Sequence, residues 1–351
     1  MSTTLRIPAA ATAALLAAML FGASTPLAKA LGVHVSPTLL AGLLYLGSGI
    51  GLTIIRSARD RGWRSPQIPA GEWRWLVGAI LFGGIIAPLL LMHALQRTSA
   101  TSASLLLNLE GVFTALLAWI VFRENADRRI VLGMALIVAG GAVLAWPSQA
   151  SLGGGLGAVL VALACLAWAI DNNLTRKVSA SDALFIAGAK GAVAGIVNVS
   201  IAVSAGADMP EPFVIGESLL VGLLGYGASL VLFVIGLRGL GTARTGAYFS
   251  TAPFIGAAIA IAFFGETPTP VLAIAAACMA AGVWLHLTER HEHEHTHETL
   301  DHTHPHHHDL HHRHEHDFSW DGSEPHTHAH HHAPITHKHP HFPDVHHRHQ
   351  H

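Results

Sequence analysis

Two charged residues lie inside long apolar segments, where a charge needs a partner or a ligand. Glu110 stands in the segment 99–122, two residues after Asn108, and Lys190 stands in the sequence AGAKGA. A carboxylate in such a place could carry a proton or bind the amine of a substrate, or it could be a hydrogen-bonded structural group. Lys190 could pair with Glu110 or attract an acidic substrate, but its long side chain could also extend to the end of its helix.

A polar cluster occurs near the end of a later apolar segment. Asp171, Asn172 and Asn173 are successive residues there, and three successive positions of a helix cannot all face one cavity. Asn172 aligns with Thr25 at a shift of 147 residues, so these two are candidates for equivalent cavity positions. Asp171 has Arg176 and Lys177 nearby in sequence as partners for an ion pair.

Aromatic side chains complete the candidate set. Trp168 and Tyr248 could line a pocket, although packing within the bundle or against lipid is the simpler interpretation. His93 is interpreted as a satisfied residue near a helix end. The candidate substrate-binding residues are therefore Glu110, Asn108, Asn172, Thr25, Lys190, Trp168 and Tyr248.

Residues 289–351 have a different composition. Of the 28 histidines, only His34, His93 and His286 precede this tail. The tail is poor in apolar residues, which predicts a disordered segment. Neutral imidazole binds zinc, nickel, cobalt and copper, so the tail is predicted to bind metal. This prediction rests on its histidine content and not on one defined set of ligands. The candidate ligands are His291, His293, His295, His297, His306, His307 and His308.

The elements that position these residues are predicted to be transmembrane helices. The chain is 51% hydrophobic and 12% charged, whereas soluble domains have about 25% charged residues. Its apolar segments are long enough to cross a bilayer. The sequence predicts an all-α integral membrane protein with ten helices, at 8–30, 37–55, 75–95, 99–122, 130–146, 154–174, 183–205, 213–236, 243–264 and 270–288.

An internal duplication organises these helices. Ala94–Glu124 aligns with Gly236–Glu266 at a constant shift of 142 residues, without a gap. This predicts two related halves, 1–148 and 149–288, followed by the tail 289–351. Because each half has five helices, the second half enters the membrane in the opposite orientation, and the two form an inverted repeat.

Basic residues predict the orientation. Arginines and lysines cluster in the loops on one side of the predicted bundle, and this side is cytoplasmic by the positive-inside rule. The N-terminus and the C-terminus both fall on it. The predicted location is therefore the inner (plasma) membrane of a bacterial-type cell. The basic residues concerned are Arg6, Arg56, Arg59, Arg61, Arg64, Arg123, Arg128, Arg129, Arg176, Lys177, Arg238, Arg244 and Arg290.

Several of these segments resemble the EamA family of the drug/metabolite transporter superfamily. The resemblance rests on Ala94–Glu124, on the sequence DNNLTRK after Trp168, and on Thr251-Ala252-Pro253 before FGE. It covers residues 8–288 and implies ten helices in two repeats with a cavity between them. In the family a proline often follows the acidic residue that Glu110 resembles. Here Gly111 stands in that place, and we expect a softer break in the helix.

The resemblance implies a secondary transporter of small metabolites, such as amino acids or related compounds, that works as an exporter. The sequence shows no nucleotide-binding loop and no nucleophile with an obvious base, so no enzyme and no required cofactor is expected. Two alternatives stay open: a divalent-metal exporter fed by the tail, and a membrane-anchored metal sensor or buffer. The predicted partners are the lipid bilayer, a small substrate and transition-metal ions, without nucleic acid, and a homodimer is compatible with the sequence.

Overall fold

The structure is a computed structural model, and it describes residues 9–62, 64–66, 68–122, 128–145, 154–178, 181–240, 245 and 248–287, together with four short strands. The chain divides into two compact units, Met1–Glu289 and Arg290–His351. The first unit is helical throughout its regular segments, and the second contains the strands. Each unit is described by itself.

The first half of the helical unit contains short and long helices in series. A 3-10 turn at Ala70–Glu72 precedes α3, and a π-helical segment, Ile80–Ile86, joins α3 to α4. The helices are α1 (Ala9–Leu31), α2 (Pro37–Asp60), α3 (Trp73–Ala79), α4 (Ala87–Leu95), α5 (Ala100–Leu106), α6 (Leu109–Phe122) and α7 (Arg128–Ala145).

The second half repeats this pattern. A second π-helical segment, Leu223–Ala228, joins α10 to α11. The helices are α8 (Gly154–Arg176), α9 (Ala183–Ser204), α10 (Pro212–Gly222), α11 (Ser229–Leu240), α12 (Ala252–Phe264) and α13 (Pro270–Leu287).

The helical unit has the lengths and apolar composition of a multi-pass membrane protein. Within the described residues, seven continuous helical stretches are long and apolar enough to cross a bilayer. Three shorter apolar helices, Val131–Ala145, Ala252–Phe264 and Pro270–Leu285, accompany them. The prediction of an α-helical membrane unit is confirmed.

Small residues bring the helices of the two halves into backbone contact. A Cβ added to Gly49 of α2 would lie 2.2 Å from the backbone nitrogen of Ala192 in α9. A Cβ added to Gly191 would lie 2.5 Å from the nitrogen of Gly49. Only glycine allows such an approach, which gives membrane helices dispersion contacts where the hydrophobic effect supplies no force between them.

The two π-helical segments occupy equivalent positions in the two halves. A shift of 142 residues carries Ile80–Ile86 onto 222–228, which overlaps Leu223–Ala228. A π-helical turn adds a residue to the turn and leaves backbone carbonyls without their usual partners, and it is frequent at functional sites. The duplication therefore extends from sequence to a local irregularity of the backbone.

A helix predicted as continuous is broken. The sequence predicted one helix over 99–122, but α5 ends at Leu106 and α6 begins at Leu109. The equivalent break in the second half lies at Ser250 and Thr251, directly before α12. Apolar periodicity continues through both breaks, so the pattern alone could not reveal them, although the comparison of Gly111 with Pro253 pointed to a break at this depth.

The tail unit contains two antiparallel strand pairs. Strand β1 (Glu292–His297) pairs with β4 (Ile335–Pro340), and β2 (Leu300–His306) pairs with β3 (His326–His332). The disordered tail that the sequence suggests stays a prediction. The strand residues have an alternating sequence in which histidine recurs at every second position, and this period of two suits a strand.

Candidate functional site

Glu110 lies in the first turn of α6, immediately after the break between α5 and α6. Its side chain is half-buried, and its carboxylate oxygen Oε1 accepts a hydrogen bond of 2.8 Å from Nδ2 of Asn172. The same amide nitrogen lies 3.4 Å from Oγ1 of Thr114. Glu110 and Asn172, two residues singled out from the sequence, are thus brought together from different halves of the molecule.

The residue that follows Glu110 is exposed. A Cβ added to Gly111 would meet no atom of another helix within 4 Å. Asn172 is exposed, and an amide side chain at this depth is stable only where it faces a partner or water. Thr25, the residue of the first half that aligns with Asn172, is buried instead. The two equivalent positions therefore have different environments.

Lys190 and Asp171 form an ion pair beside the Glu110–Asn172 contact, because Asp171 directly precedes Asn172 in α8. The ammonium group of Lys190 on α9 donates to Oδ2 of Asp171 on α8. Oδ1 of Asp171 accepts from Oγ1 of Thr175 at 2.9 Å. The sequence offered Glu110 or the helix end as the place of the Lys190 ammonium; among the described residues, its hydrogen-bond partner is Asp171.

The ion pair packs against the first π-helical segment. A Cβ added to Gly83 would lie 1.9 Å from Oδ2 of Asp171, so glycine is required for the contact. The carbonyl oxygen of Gly83 accepts from the hydroxyl of Tyr45 at 2.5 Å and from Nε1 of Trp168 at 3.1 Å. Side chains of α2 and α8 thereby satisfy a carbonyl in the π-helical turn, and Trp168 acts here through its ring nitrogen.

A neutral version of this contact occurs in the other half. Gly225 of the second π-helical segment is equivalent to Gly83, and Ser24 is equivalent to Asp171 at the shift of 147. A Cβ added to Gly225 would lie 2.5 Å from the Cβ of Ser24. The hydroxyl of Ser24 donates to its own helix, at 2.6 Å from the carbonyl oxygen of Phe21.

The other candidate residues have packing or capping contacts. Asn108 is buried, and its Nδ2 donates to the carbonyl oxygen of Leu105 at 2.9 Å, at the break itself. The carbonyl oxygen of Tyr248 accepts from Oγ1 of Thr251 at 2.6 Å, at the equivalent break. The ring nitrogen Nε2 of His93 lies 3.4 Å from Oγ1 of Thr38.

Glu266, which the duplication singled out, connects the two halves at the Lys29 end of the bundle. Its carboxylate accepts from the backbone nitrogens of Ala100 and Thr101, at 2.7 and 2.8 Å, and from the hydroxyl of Thr101. It therefore binds the free N–H groups at the start of α5. Lys29 donates nearby to the carbonyl oxygens of Leu95 and Thr98, at 2.5 and 2.7 Å.

The opposite end of the bundle has its own ion pairs. Asp182 precedes α9, caps it by accepting from the nitrogen of Leu184, and contacts Arg56 at 2.8 Å and Arg59 at 2.6 Å. Partial burial raises the pKa of Asp182, but hydrogen bonds from Arg59 and Arg56 outweigh it and lower the pKa to about 2. This network ties α2 to the beginning of α9.

Metal ligands do not cluster in the part of the helical unit that the structure describes. Among the residues that the structure describes, no group of three or more His, Cys, Asp or Glu side chains could hold a metal ion. The tail strands set histidines opposite one another in backbone register, with His302 facing His330, His304 facing His328 and His306 facing His326.

Sequence reasoning found Glu110, Asn172 and Lys190 but missed the contacts between halves. The Asp171–Lys190 pair has a sequence signal, since two opposite charges lie within apolar segments of neighbouring helices. Gly83 has a weaker signal, because it aligns with Gly225 within the duplication. Tyr45 carries no comparable signal, and only the structure shows that its hydroxyl reaches a backbone carbonyl.

Two related helical halves, with mid-helix breaks and charged residues between them, are the architecture of a membrane transporter. The chain belongs to the EamA-like transporter family, which it matches over residues 8–146 and again over 155–288. The two matches confirm both the resemblance and the two-repeat architecture.

Named relatives agree with this class. The chain is 29% identical over 285 residues to an uncharacterized transporter of Methanothermobacter thermautotrophicus, covering 77% of this chain and 83% of the relative. It is 35% identical over 102 residues to a probable 4-amino-4-deoxy-L-arabinose-phosphoundecaprenol flippase subunit ArnE of Pseudomonas fluorescens, covering 29% of this chain and 87% of the relative. A protein of known crystal structure shares the fold at 20% identity, with a TM-score of 0.61 over 79% of this chain and 96% of the other.

Proposed function

We propose that this protein is a secondary transporter that exports small metabolites bearing an amine, such as amino acids or related compounds. The observation that carries the proposal is the set of partners that surround the Glu110 carboxylate. Within the described residues, its carboxylate has an amide partner in Asn172 and no cationic partner. A carboxylate in such a place favours a cationic ligand or a proton.

The charge balance of the bundle interior supports this choice. Asp171 and Lys190 pair with each other, so among the described residues no cation binds the acidic group of Glu110 directly. An anionic substrate would add to that charge, whereas the ammonium of an amine would pair with it. Because a pair of opposite charges is stronger where water is excluded, the gain from such a pairing is larger here than at a protein surface.

The location of the site supports a transport role. Glu110 and Asn172 belong to different repeats, and the two repeats are the parts that move against each other in transporters of this architecture. We place ten helices in the inner membrane of a bacterial-type cell, with both termini in the cytoplasm, on the evidence of the basic loops. The amino group in the printed name of the flippase relatives agrees with an amine-bearing substrate.

Flux into proteoliposomes tests the proposal. Purified protein is reconstituted and offered a panel of labelled amino acids and small amines, with zinc, nickel and cobalt ions in parallel. We expect flux of at least one amine-bearing compound and its loss in Glu110→Gln. Metal flux that depends on Glu110, without organic flux, would replace the proposal by the metal-exporter alternative.

We further propose that the tail binds zinc, nickel, cobalt or copper on the cytoplasmic side. Its histidine content supports this, and so does the register that sets three histidine pairs opposite one another between β2 and β3. Metal binding titrated in the full chain and in a chain that ends at Glu289 tests it. We expect metal binding to disappear in the shortened chain, while transport of the organic substrate is retained. Equal metal binding by both chains would contradict the proposal.

A further inference from the structure

We infer that Lys190 is a specificity-determining residue that binds an anionic group of the substrate, so that the preferred substrate carries both an amine and a carboxylate. The inference rests on the proposed function, because it assigns the amine to Glu110. It adds a second contact with the substrate, which Lys190 of the Asp171–Lys190 ion pair makes with an anionic group.

Lys190 has unused hydrogen-bonding capacity. An ammonium group carries three N–H donors, and Asp171 is the acceptor that the structure gives it within the described residues. The side chain of Lys190 is 14% exposed, while that of Asp171 is 5% exposed. Lys190 is therefore the more exposed member of the pair, and its ammonium has donors for a second acceptor in addition to the first.

Asp171 is held in place from several directions. Thr175 donates to one of its oxygens, Lys190 donates to the other, and Gly83 packs directly against the carboxylate. A carboxylate with both oxygens engaged does not have to move when a ligand arrives. It fixes the ammonium of Lys190 in position, and this lowers the entropic cost of binding an anion.

The partners of the two charged groups are consecutive residues of α8. Asn172, which binds Glu110, directly follows Asp171, which binds Lys190. Consecutive Cα atoms are about 3.8 Å apart, so a single turn of α8 carries the partners of both charged groups. A molecule with an ammonium and a carboxylate a few bonds apart can therefore approach both sides of this turn.

Charge favours such a molecule over a simple acid. An unpaired carboxylate is costly to bury, and Lys190 is the cation near Glu110 whose remaining N–H donors can bind it. In a zwitterion the amine meets Glu110 and the carboxylate meets Lys190, so each charged group of the substrate has a partner of opposite charge. An amine that lacks the carboxylate also pairs with Glu110, but it leaves the remaining donors of Lys190 unused.

Paired substrates test the inference. Flux is measured for leucine and alanine and for the amines that lack their carboxylates, 3-methylbutylamine and ethylamine, with wild type, Lys190→Gln and Lys190→Arg. We expect Lys190→Gln to raise the KM for the amino acids at least tenfold and for the amines less than threefold. Lys190→Arg should recover most of the amino-acid flux, because it keeps the cation.

The outcomes separate the two proposals. Equal losses for amino acids and amines in Lys190→Gln would overturn the role of Lys190 and leave Glu110 in place. Wild-type flux of amines only would also overturn it, and wild-type flux of neither class would overturn the proposed function itself. If Lys190→Gln fails to fold, the charge-balanced variant Asp171→Asn/Lys190→Gln provides the same comparison between the two substrate classes.

Discussion

The two repeats share a backbone plan but differ in the polar groups that complete it. Both contain a π-helical segment with a glycine in contact with a helix of the other half. At Gly83 that contact is the Asp171–Lys190 ion pair, whereas at Gly225 it is the neutral Ser24. The difference shows that the duplicated scaffold contains two equivalent contacts between the halves and that only one of them is charged.

The broken helices differ in the same way. After the break in the first repeat come Glu110 and Gly111, and after the equivalent break in the second come Ala252 and Pro253. Proline imposes a break because it removes a backbone donor, while Gly111 leaves open space beside a carboxylate. The second repeat thus uses this position for backbone geometry, and the first uses it for chemistry.

The largest expected effect concerns the charged contact at Gly83 and the neutral contact at Gly225. Asp171→Ala leaves the ammonium of Lys190 without its acceptor, and breaking a buried pair costs about 3–5 kcal/mol of unfolding free energy. Ser24→Ala removes a neutral hydroxyl that bonds the Phe21 carbonyl and the Tyr226 side chain, and each lost neutral hydrogen bond should cost about 0.5–1.5 kcal/mol. Unfolding titrations in mixed micelles measure both. Equal losses would mean that the two contacts do not differ in the way described.

The glycines of the π-helical segments give the next effect. Gly83→Ala forces the new methyl group against Asp171, which is held by two partners, and overpacking of this kind costs about 1–3 kcal/mol. Gly225→Ala meets the Ser24 side chain and should cost less. Gly111→Ala, which meets open space, is the matched control and should stay within about 0.5 kcal/mol of wild type. A loss of unfolding free energy at Gly111 as large as that at Gly83 would contradict the open space beside Gly111.

A smaller effect separates the carboxylate within a helix, Glu110, from the carboxylate at the end of the bundle, Glu266. Glu266 binds the free nitrogens of Ala100 and Thr101, so Glu266→Gln should cost about 1 kcal/mol, as for other lost helix caps. Glu110→Gln should leave the unfolding free energy nearly unchanged, because Glu110 has one amide partner. The same denaturant titration checks both variants, and a reversed order would show that Glu110 is a structural group.

The smallest effect is the pH dependence of the network at the Arg56 end. The pKa of Asp182 is lowered to about 2 because hydrogen bonds from Arg59 and Arg56 outweigh its partial burial. An unfolded aspartate has a pKa of about 3.9, so this contribution to stability is complete above pH 4 and is lost as the pH falls towards 2. Thermal unfolding from pH 5 to 2.5 should show a smaller decrease in Asp182→Asn than in wild type.

Much of the architecture was predictable from the sequence, for physical reasons. Apolar segments that are long enough to span a bilayer indicate membrane helices, and the alignment of Glu124 with Glu266 indicates a repeat. The breaks at Asn108 and Ser250 were not predictable in detail, because an apolar pattern has the same period on both sides of a break. Fold class therefore follows from composition, while the irregular turns follow from tertiary contacts.

The candidate site was predictable in its residues but not in its pairs. A charge within an apolar segment marks Glu110 and Lys190, since such groups are costly and rarely accidental. The partner of each depends on which helices are neighbours, and the sequence offered Arg176 for Asp171 where the structure has Lys190. Contacts with backbone carbonyls, such as that of Tyr45 with Gly83, carry almost no sequence signal, because any donor of the right length would serve.

The most direct test of the asymmetry between the repeats compares two identical chemical changes. Flux of the organic substrate is measured for Glu110→Gln and Glu266→Gln in proteoliposomes with equal amounts of folded protein. We expect Glu110→Gln to reduce flux more than tenfold and Glu266→Gln to retain it within about threefold, since the second carboxylate is occupied by backbone nitrogens. Full flux in Glu110→Gln, or its loss in Glu266→Gln alone, would contradict the assignment of the substrate site to Glu110.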